Sequence, residues 1–286
     1  MGFSSQKKCP KIRKESKHNY WVLDVDIQGY FDHINPHKLM KLVEQRISDR
    51  KVLKLIRKWL QAGIMEEGKQ RNSILGAPQG GGISPLLSNI YLNVMDTLWE
   101  KKFSHIGTLI RYADDFVVLC KTKQQALEGG QVIQAIMKKL DLSIHQEKSR
   151  LVNIWDGSDG FDFLGFHYRK FPVRKKGGRT FFIMNHIPSR KAMKKMRKKI
   201  KDYTQPRSKL LMDIKDMVKG LNRKLQGFKN YYQLSPLSKR WLNRIDWYVL
   251  QRLNLFNNKK RNRRHKHAYI QDTVRETQFI LVKLAS

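Results

Sequence analysis

The chain is short of acids. Its 286 residues hold 24 Asp and Glu against 58 Lys and Arg, for a formal net charge of +34. A compact body with that charge repels itself unless a polyanion neutralises it, so an ordinary solvated surface is excluded and a nucleic-acid partner is expected. The shortage is uneven. Residues 1–168 carry 25 basic and 18 acidic side chains, whereas residues 169–286 carry 33 and 6. The main grip on nucleic acid is therefore expected in the second half. Cysteine is nearly absent too. Cys9 and Cys120 lie far apart, which argues against a disulfide framework or a thiolate zinc site and favours a reducing, cytoplasmic setting. No stretch approaches the roughly 20 apolar residues of a membrane span. The first residues, "MGFSSQKKCPKIRK", have no apolar core and do not form a secretory signal. No membrane partner is expected.

What is present is a patterned globular chain. "YWVLDVDI" (20–27) alternates as a strand, with Asp24 and Asp26 on one face. Asn35-Pro36 opens a helix, and "RKVLKLIRKWLQAGI" reads as a second, with Val52, Leu53, Ile56, Trp59 and Leu60 on one face. The glycine-rich "GAPQGGGISP" leads into a third at Ser84-Pro85. "GTLIRYADD" and "FVVLCKT" form a strand pair, and a further helix precedes "SIHQEKSRLVNI" and the short strand or hairpin "FDFLGFHYRKF". The basic turn at 174–180 marks the expected domain edge. Beyond Pro188 the pattern is helical, with Ser189 as a cap and Met193, Met196, Ile200 and Tyr203 as a narrow apolar stripe. The order predicts an α+β core followed by an all-helical unit.

The acids that do occur are oddly placed. Asp114 and Asp115 sit side by side at the mouth of an apolar strand, where burying either without compensation costs several kcal/mol, roughly. An ordinary hairpin turn would account for them, since Asp is common there. A divalent cation would as well, because it reverses the local electrostatics. With Asp26 from the first strand, three carboxylates at neighbouring strand ends can hold two metals about 3.5–4 Å apart, the arrangement that serves phosphoryl transfer.

"DVDIQGYFDHI", "PQGGGISPLLSNIYL" and "YADD" together, in this order, resemble the reverse transcriptases encoded by group II introns, over roughly residues 1–262. The resemblance implies a palm (an antiparallel sheet packed by helices) over residues 20–180 and a helical thumb or maturase region over 187–262, carried by "LNRKLQGFKNYY" and "WLNRIDWYVLQRL". Residues 1–19 match the end of a fingers region, and 263–286 read as a basic tail. It further implies Asp26, Asp114 and Asp115 as catalytic acids, and two Mg²⁺ held by these and the Ile27 carbonyl. Phe31 would lie under the incoming sugar, Gln79 and Gly80 would contact the templating pair, and Lys148 would lie near the triphosphate. Phe163, Leu164 and Gly165 would hold the primer. Lys194, Lys195, Lys198, Arg223, Lys224 and Lys229 would grip RNA. The expected partners are intron RNA as template, a DNA primer and dNTPs, and the expected reaction is RNA-directed DNA synthesis.

Two departures qualify the match. Most of a fingers region before the first palm strand is missing from this sequence, and its end has no cysteine pairs for an endonuclease zinc module. An RNA-binding maturase, or a truncated fragment without independent polymerase activity, therefore stands as the alternative.

Overall fold

A computed structural model describes residues 8–61, 64–66, 69–71, 83–174, 178, 180–233, 235, 237–262 and 268–285. In chain order the elements are α1 (Lys8–Glu15), β1 (Trp21–Val25), α2 (Tyr30–His33), α3 (Pro36–Glu44), α4 (Arg50–Gln61), β2 (Ile64–Glu66), β3 (Lys69–Arg71) and α5 (Ser84–Leu98). Then come β4 (Thr108–Tyr112), β5 (Asp115–Cys120), α6 (Lys123–Lys139), β6 (Arg150–Asn153), β7 (Gly160–Phe163), β8 (Phe166–Arg174) and β9 (Thr180–Pro188). Helices α7 (Arg190–Thr204), α8 (Ile214–Tyr232), α9 (Ser238–Lys260) and α10 (Ile270–Thr277) complete the chain. Two compact units result, Met1–Phe163 with Arg174–Phe182, and Leu164–Val173 with Ile183–Ser286. The sequence reading kept residues 20–180 together, whereas the chain here crosses between units on either side of Leu164–Val173 and again after Phe182.

The first unit is built on an antiparallel sheet of order β4-β5-β1-β6. Its interior strand β5 reads as an unbroken apolar run because both its faces are covered, and Phe116 through Cys120 are all fully buried. Helix α6 packs on β1 and β5. It starts at a capping box in which Thr122 accepts from the Gln125 N–H and Gln125 accepts from the Thr122 N–H, both at 3.2 Å. Asn35 caps α3 through the His37 and Lys38 N–H groups ahead of Pro36. On α4 the buried stripe is narrower than its pattern implies. Leu53, Ile56 and Leu60 are buried, but Val52 and Trp59 remain exposed. Burial sharpens the Cys120 thiol's reluctance to ionise, pushing its pKa up to about 12.

In the second unit α9 is the hub, meeting α7, α8 and α10. Ser189 caps α7 through the Ala192 N–H at 3.2 Å, and Met193, Met196 and Ile200 are buried as the stripe implies. Tyr203 leaves that stripe and Thr204 is buried in its place. The stretch expected as a basic tail is packed over residues 268–285. Asn254, Asn257 and Asn258 of α9 are buried and bond to Thr273, Glu276 and Ala268. Asn222 then takes the Ile280 carbonyl and the Val282 N–H, while Asp246 accepts from the Leu284 and Ala285 N–H groups. Polar side chains do this work, so apolar patterning gave no sign of it. Among the described residues no helix is long and apolar enough to cross a membrane.

Candidate active site

The strand register brings the acids together. In the β1–β5 ladder Val25 faces Phe116, so Asp26, one residue beyond Val25, reaches the same sheet end as Asp115, one residue before Phe116. Tyr112 pairs with Asp115 across the β4–β5 hairpin, which leaves only Ala113 and Asp114 in the turn. The apolar register of three strands thus forces three carboxylates to one edge.

The turn is held under strain. Ala113 has φ +54°, a conformation in which a non-glycine residue costs about 1–3 kcal/mol and persists only where its surroundings impose it. Arg111 supplies the constraint. Its guanidinium donates to the Ala113 carbonyl at 2.7 Å and to Asn89 Oδ1 at 3.0 Å, and its Nε donates to both Asp96 carboxylate oxygens at 2.9 and 3.1 Å. Its side chain is 10% exposed. Asn89 and Asp96 belong to α5, so this helix anchors the turn through one planar cation with several donors.

A second loop anchors Asp26. Its N–H donates to Ser149 Oγ at 3.2 Å, its carbonyl accepts from the His145 N–H at 2.8 Å, and Gln28 N–H donates to the Ser143 carbonyl at 2.9 Å. Ile27 is buried and bridges Ile144. This pairing carries Lys148 to the carboxylate, with Nζ 3.4 Å from Asp26 Oδ2. Both side chains are about half exposed, so the pair is open to solvent and ligand. Asp24, two residues earlier, is a different kind of acid. It is bonded by Arg150 at 3.2 Å, and burial raises its pKa despite that partner. Phe31 sits on α2 five residues past Asp26, half-buried, with its ring edge-on to Tyr30 at 5.3 Å. Gly29 before it has φ +49°, and a Cβ there would meet the His33 ring at 2.9 Å.

The reverse transcriptase (RNA-dependent DNA polymerase) family model matches residues 1–168. The chain belongs to the reverse-transcriptase family. A second model, the maturase-specific domain of group II introns, matches residues 193–272, and together the two put it among the group II intron type. The group II intron-encoded protein LtrA of Lactococcus lactis subsp. cremoris is 39% identical, over 62% of this chain and 39% of that protein. Protein YkfC of Escherichia coli (strain K12) is 31% identical, over 60% of this chain and 52% of that one. The chain thus spans about half the length of one relative and two fifths of the other. Among solved structures, telomerase from Candida tropicalis with a fragment of telomeric RNA aligns at TM-score 0.48 and 13% identity, covering 98% of this chain and 53% of that one.

A reverse transcriptase implies Mg²⁺, and the residues here fit it. The donors at the sheet end are carboxylate oxygens, hard ligands suited to that ion, and Asp26 already draws in an ammonium. Among the described residues no three His, Cys, Asp or Glu side chains are drawn together closely enough to hold a metal. Mg²⁺ commonly takes only one or two carboxylates, with phosphates and waters completing its shell.

The other expected residues of the reverse transcriptase are scattered. Gln79 and Gly80 lie outside the described residues. Phe163 is buried, while Leu164 and Gly165 form a turn with φ +52° and +78°. The close approach that Gly165 permits is to Tyr232, whose hydroxyl would lie 2.7 Å from a Cβ there. Tyr231 donates to the Leu164 carbonyl at 2.7 Å. Lys194, Lys195 and Lys198 are exposed on α7, and Arg223 and Lys224 on α8. Lys229 donates to the Lys283 carbonyl at 2.9 Å, which ties it to the C-terminal segment. Sequence reasoning missed Arg111, Asn89, Asp96 and Ser149. Arg111 adjoins "YADD" and could have been suspected, but its partners on α5 carry no local signal.

Proposed function

We propose that the first unit is the polymerase core of a group II intron-encoded reverse transcriptase, and that the second grips intron RNA as thumb and maturase region. The observation that carries the reading is the common sheet end of Asp26, Asp114 and Asp115, with Lys148 reaching Asp26. The substrates are an RNA template, a DNA primer and dNTPs.

In this reading the primer 3′-hydroxyl attacks the α-phosphate of the dNTP, a new P–O bond forms, and pyrophosphate leaves. Bound Mg²⁺, expected as two ions, would lower the hydroxyl pKa and neutralise charge on the leaving group. The chain's own residues position and balance charge. Asp26 and Asp114 would hold the cations, with Asp115 in support and the Ile27 carbonyl as a further ligand. Arg111 fixes the turn on which Asp114 and Asp115 stand. Lys148 is near enough to Asp26 to pass its charge to a departing pyrophosphate once the carboxylate has other partners. Phe31 would gate the sugar, and the group II intron resemblance assigns Gln79 and Gly80 to the templating pair and Phe163 to Gly165 to the primer. The buried free thiol of Cys120 is consistent with a reducing, cytoplasmic setting.

Primer extension on an RNA template with dNTPs and Mg²⁺, beside Asp114→Ala and an RNA-binding titration at two salt concentrations, tests the reading. Extension lost on substitution supports it. RNA binding without any extension supports the maturase alternative instead.

A further inference from the structure

The second unit contains a cleft that the polymerase chemistry leaves unused. It has a volume of about 750 Å³ and lies among α7, the 3-10 turn Arg207–Leu211 and α8, within the range of sites that enclose small ligands. Four lysines line it, Lys195, Lys199, Lys209 and Lys224, with Asp202 the one carboxylate. Among the described residues none of the four is ion-paired. Lys209 and Lys224 point at one ring, with their Nζ atoms 3.3 and 5.3 Å from the Tyr203 centroid. Two like charges converge there, and desolvation together with the Lys224 charge lowers the Lys209 pKa. The ring face offsets part of their repulsion, and an anion between them would offset the rest.

The remaining wall is aromatic. Tyr231 stacks on Phe166 at 5.1 Å with an interplanar angle of 22°, and Phe228 packs on Tyr232 at 4.4 Å. Two glycines inside α8 serve the cleft differently. At Gly220 a Cβ would meet the Tyr203 hydroxyl at 1.9 Å, so bare backbone seats that ring. At Gly227, which lines the cleft, a Cβ would meet nothing within 4 Å. Glycine weakens a helix interior, and no neighbour demands it at 227. A large side chain there would enter the open space of the cleft.

We propose that this cleft receives one unstacked nucleotide of single-stranded RNA, its phosphate between Lys209 and Lys224 and its base against the Tyr203, Phe228 and Tyr231 wall. The inference rests on the RNA-gripping part of the proposed function and names what is gripped. Phosphate completes the lysine pair, and a base offers the flat π-face that fixed aromatic rings accept. A duplex keeps its bases stacked and presents none.

The test is equilibrium binding of a 12-nucleotide single-stranded RNA, and of the same strand in a blunt duplex, to the full chain. Gly227→Leu fills the cleft, leaves every charge in place and puts a better helix former in α8. It is expected to weaken single-strand binding about tenfold, the loss of one stacked base, with duplex binding unchanged within twofold. Lys209→Ala with Lys224→Ala is expected to lower the single-strand salt slope by roughly 0.7, the loss of one phosphate contact. Single-strand binding by Gly227→Leu equal to that of the unsubstituted protein overturns the pocket and leaves RNA gripping standing. Failure of the unsubstituted protein to bind either RNA overturns the gripping reading, and the pocket with it.

Discussion

The two units are electrostatically incomplete in opposite senses. Asp26, Asp114 and Asp115 share one sheet end of the first, and a half-exposed lysine lies 3.4 Å from Asp26. Among α7, the 3-10 turn and α8 of the second, four lysines share a cleft with one aspartate. In the first the strand register gathers acids, and in the second the lining of one cleft gathers lysines. In the proposed reading each would be met by a different part of one ligand system, cations for the acids and phosphates for the lysines. The scaffolds differ accordingly. Carboxylates that must meet reacting atoms stand on a sheet whose register fixes them, with Arg111 clamping the turn. Lysines that meet a backbone of repeating charge stand on helices and need less precision.

The largest expected effect breaks the comparison outright. Asp26→Ala or Asp114→Ala should lower primer extension by roughly 10³-fold or more, as loss of a preorganised charge at a reacting centre does, with RNA affinity unchanged within twofold. Equal losses in both assays would mean the two units are not separable in function. Next, Arg111→Met should cost about 3 kcal/mol, since it strands a half-buried carboxylate and frees a strained turn; the urea midpoint measures it. Arg111→Lys can still meet Asp96 but not Asn89 and Ala113 together. It should therefore lower the single-turnover rate more than it lowers stability. Within the second unit Gly165→Ala should cost about 1–3 kcal/mol, because its φ is positive and the new Cβ meets Tyr232 at 2.7 Å. Thermal unfolding should record this without a change in RNA affinity. The smallest effect sharpens the electrostatic contrast. Burial raises the Asp246 pKa above its ordinary 3.8 despite two backbone N–H donors. A raised acid binds its proton more tightly folded than unfolded, so its contribution is fully present below 3.8 and is lost as pH rises through the folded value. Asp246→Asn should flatten that part of the stability profile by about 1 kcal/mol or less, followed by denaturation between pH 3 and 6.

Strands β1, β4 and β5 and the hairpin carrying Asp114 could be read directly, because a long apolar run interrupted by two adjacent acids fits a buried strand pair joined by a polar turn and little else. The helices after Ser189 were equally plain from cap and stripe. What escaped were contacts that join distant segments through polar groups. Arg111 meets α5 across 15 to 22 residues, Asp26 meets Ser149 across 123, and buried asparagines of α9 fix a stretch that looked like a tail. On α4 the apolar positions were right and their burial was not, since the core covers Leu53, Ile56 and Leu60 and leaves Val52 and Trp59 at its rim.

The amino-acid sequence alone determined the charge of each half, the strand and helix periods, and the acids and lysines available for chemistry, because these follow from residue type and local spacing. Tertiary structure alone decided which acid faces which, that Lys148 belongs to Asp26, and that a glycine in α8 leaves a cationic cleft open. Those outcomes depend on strand register and on side chains meeting across long stretches of chain, and local spacing has no hold on either.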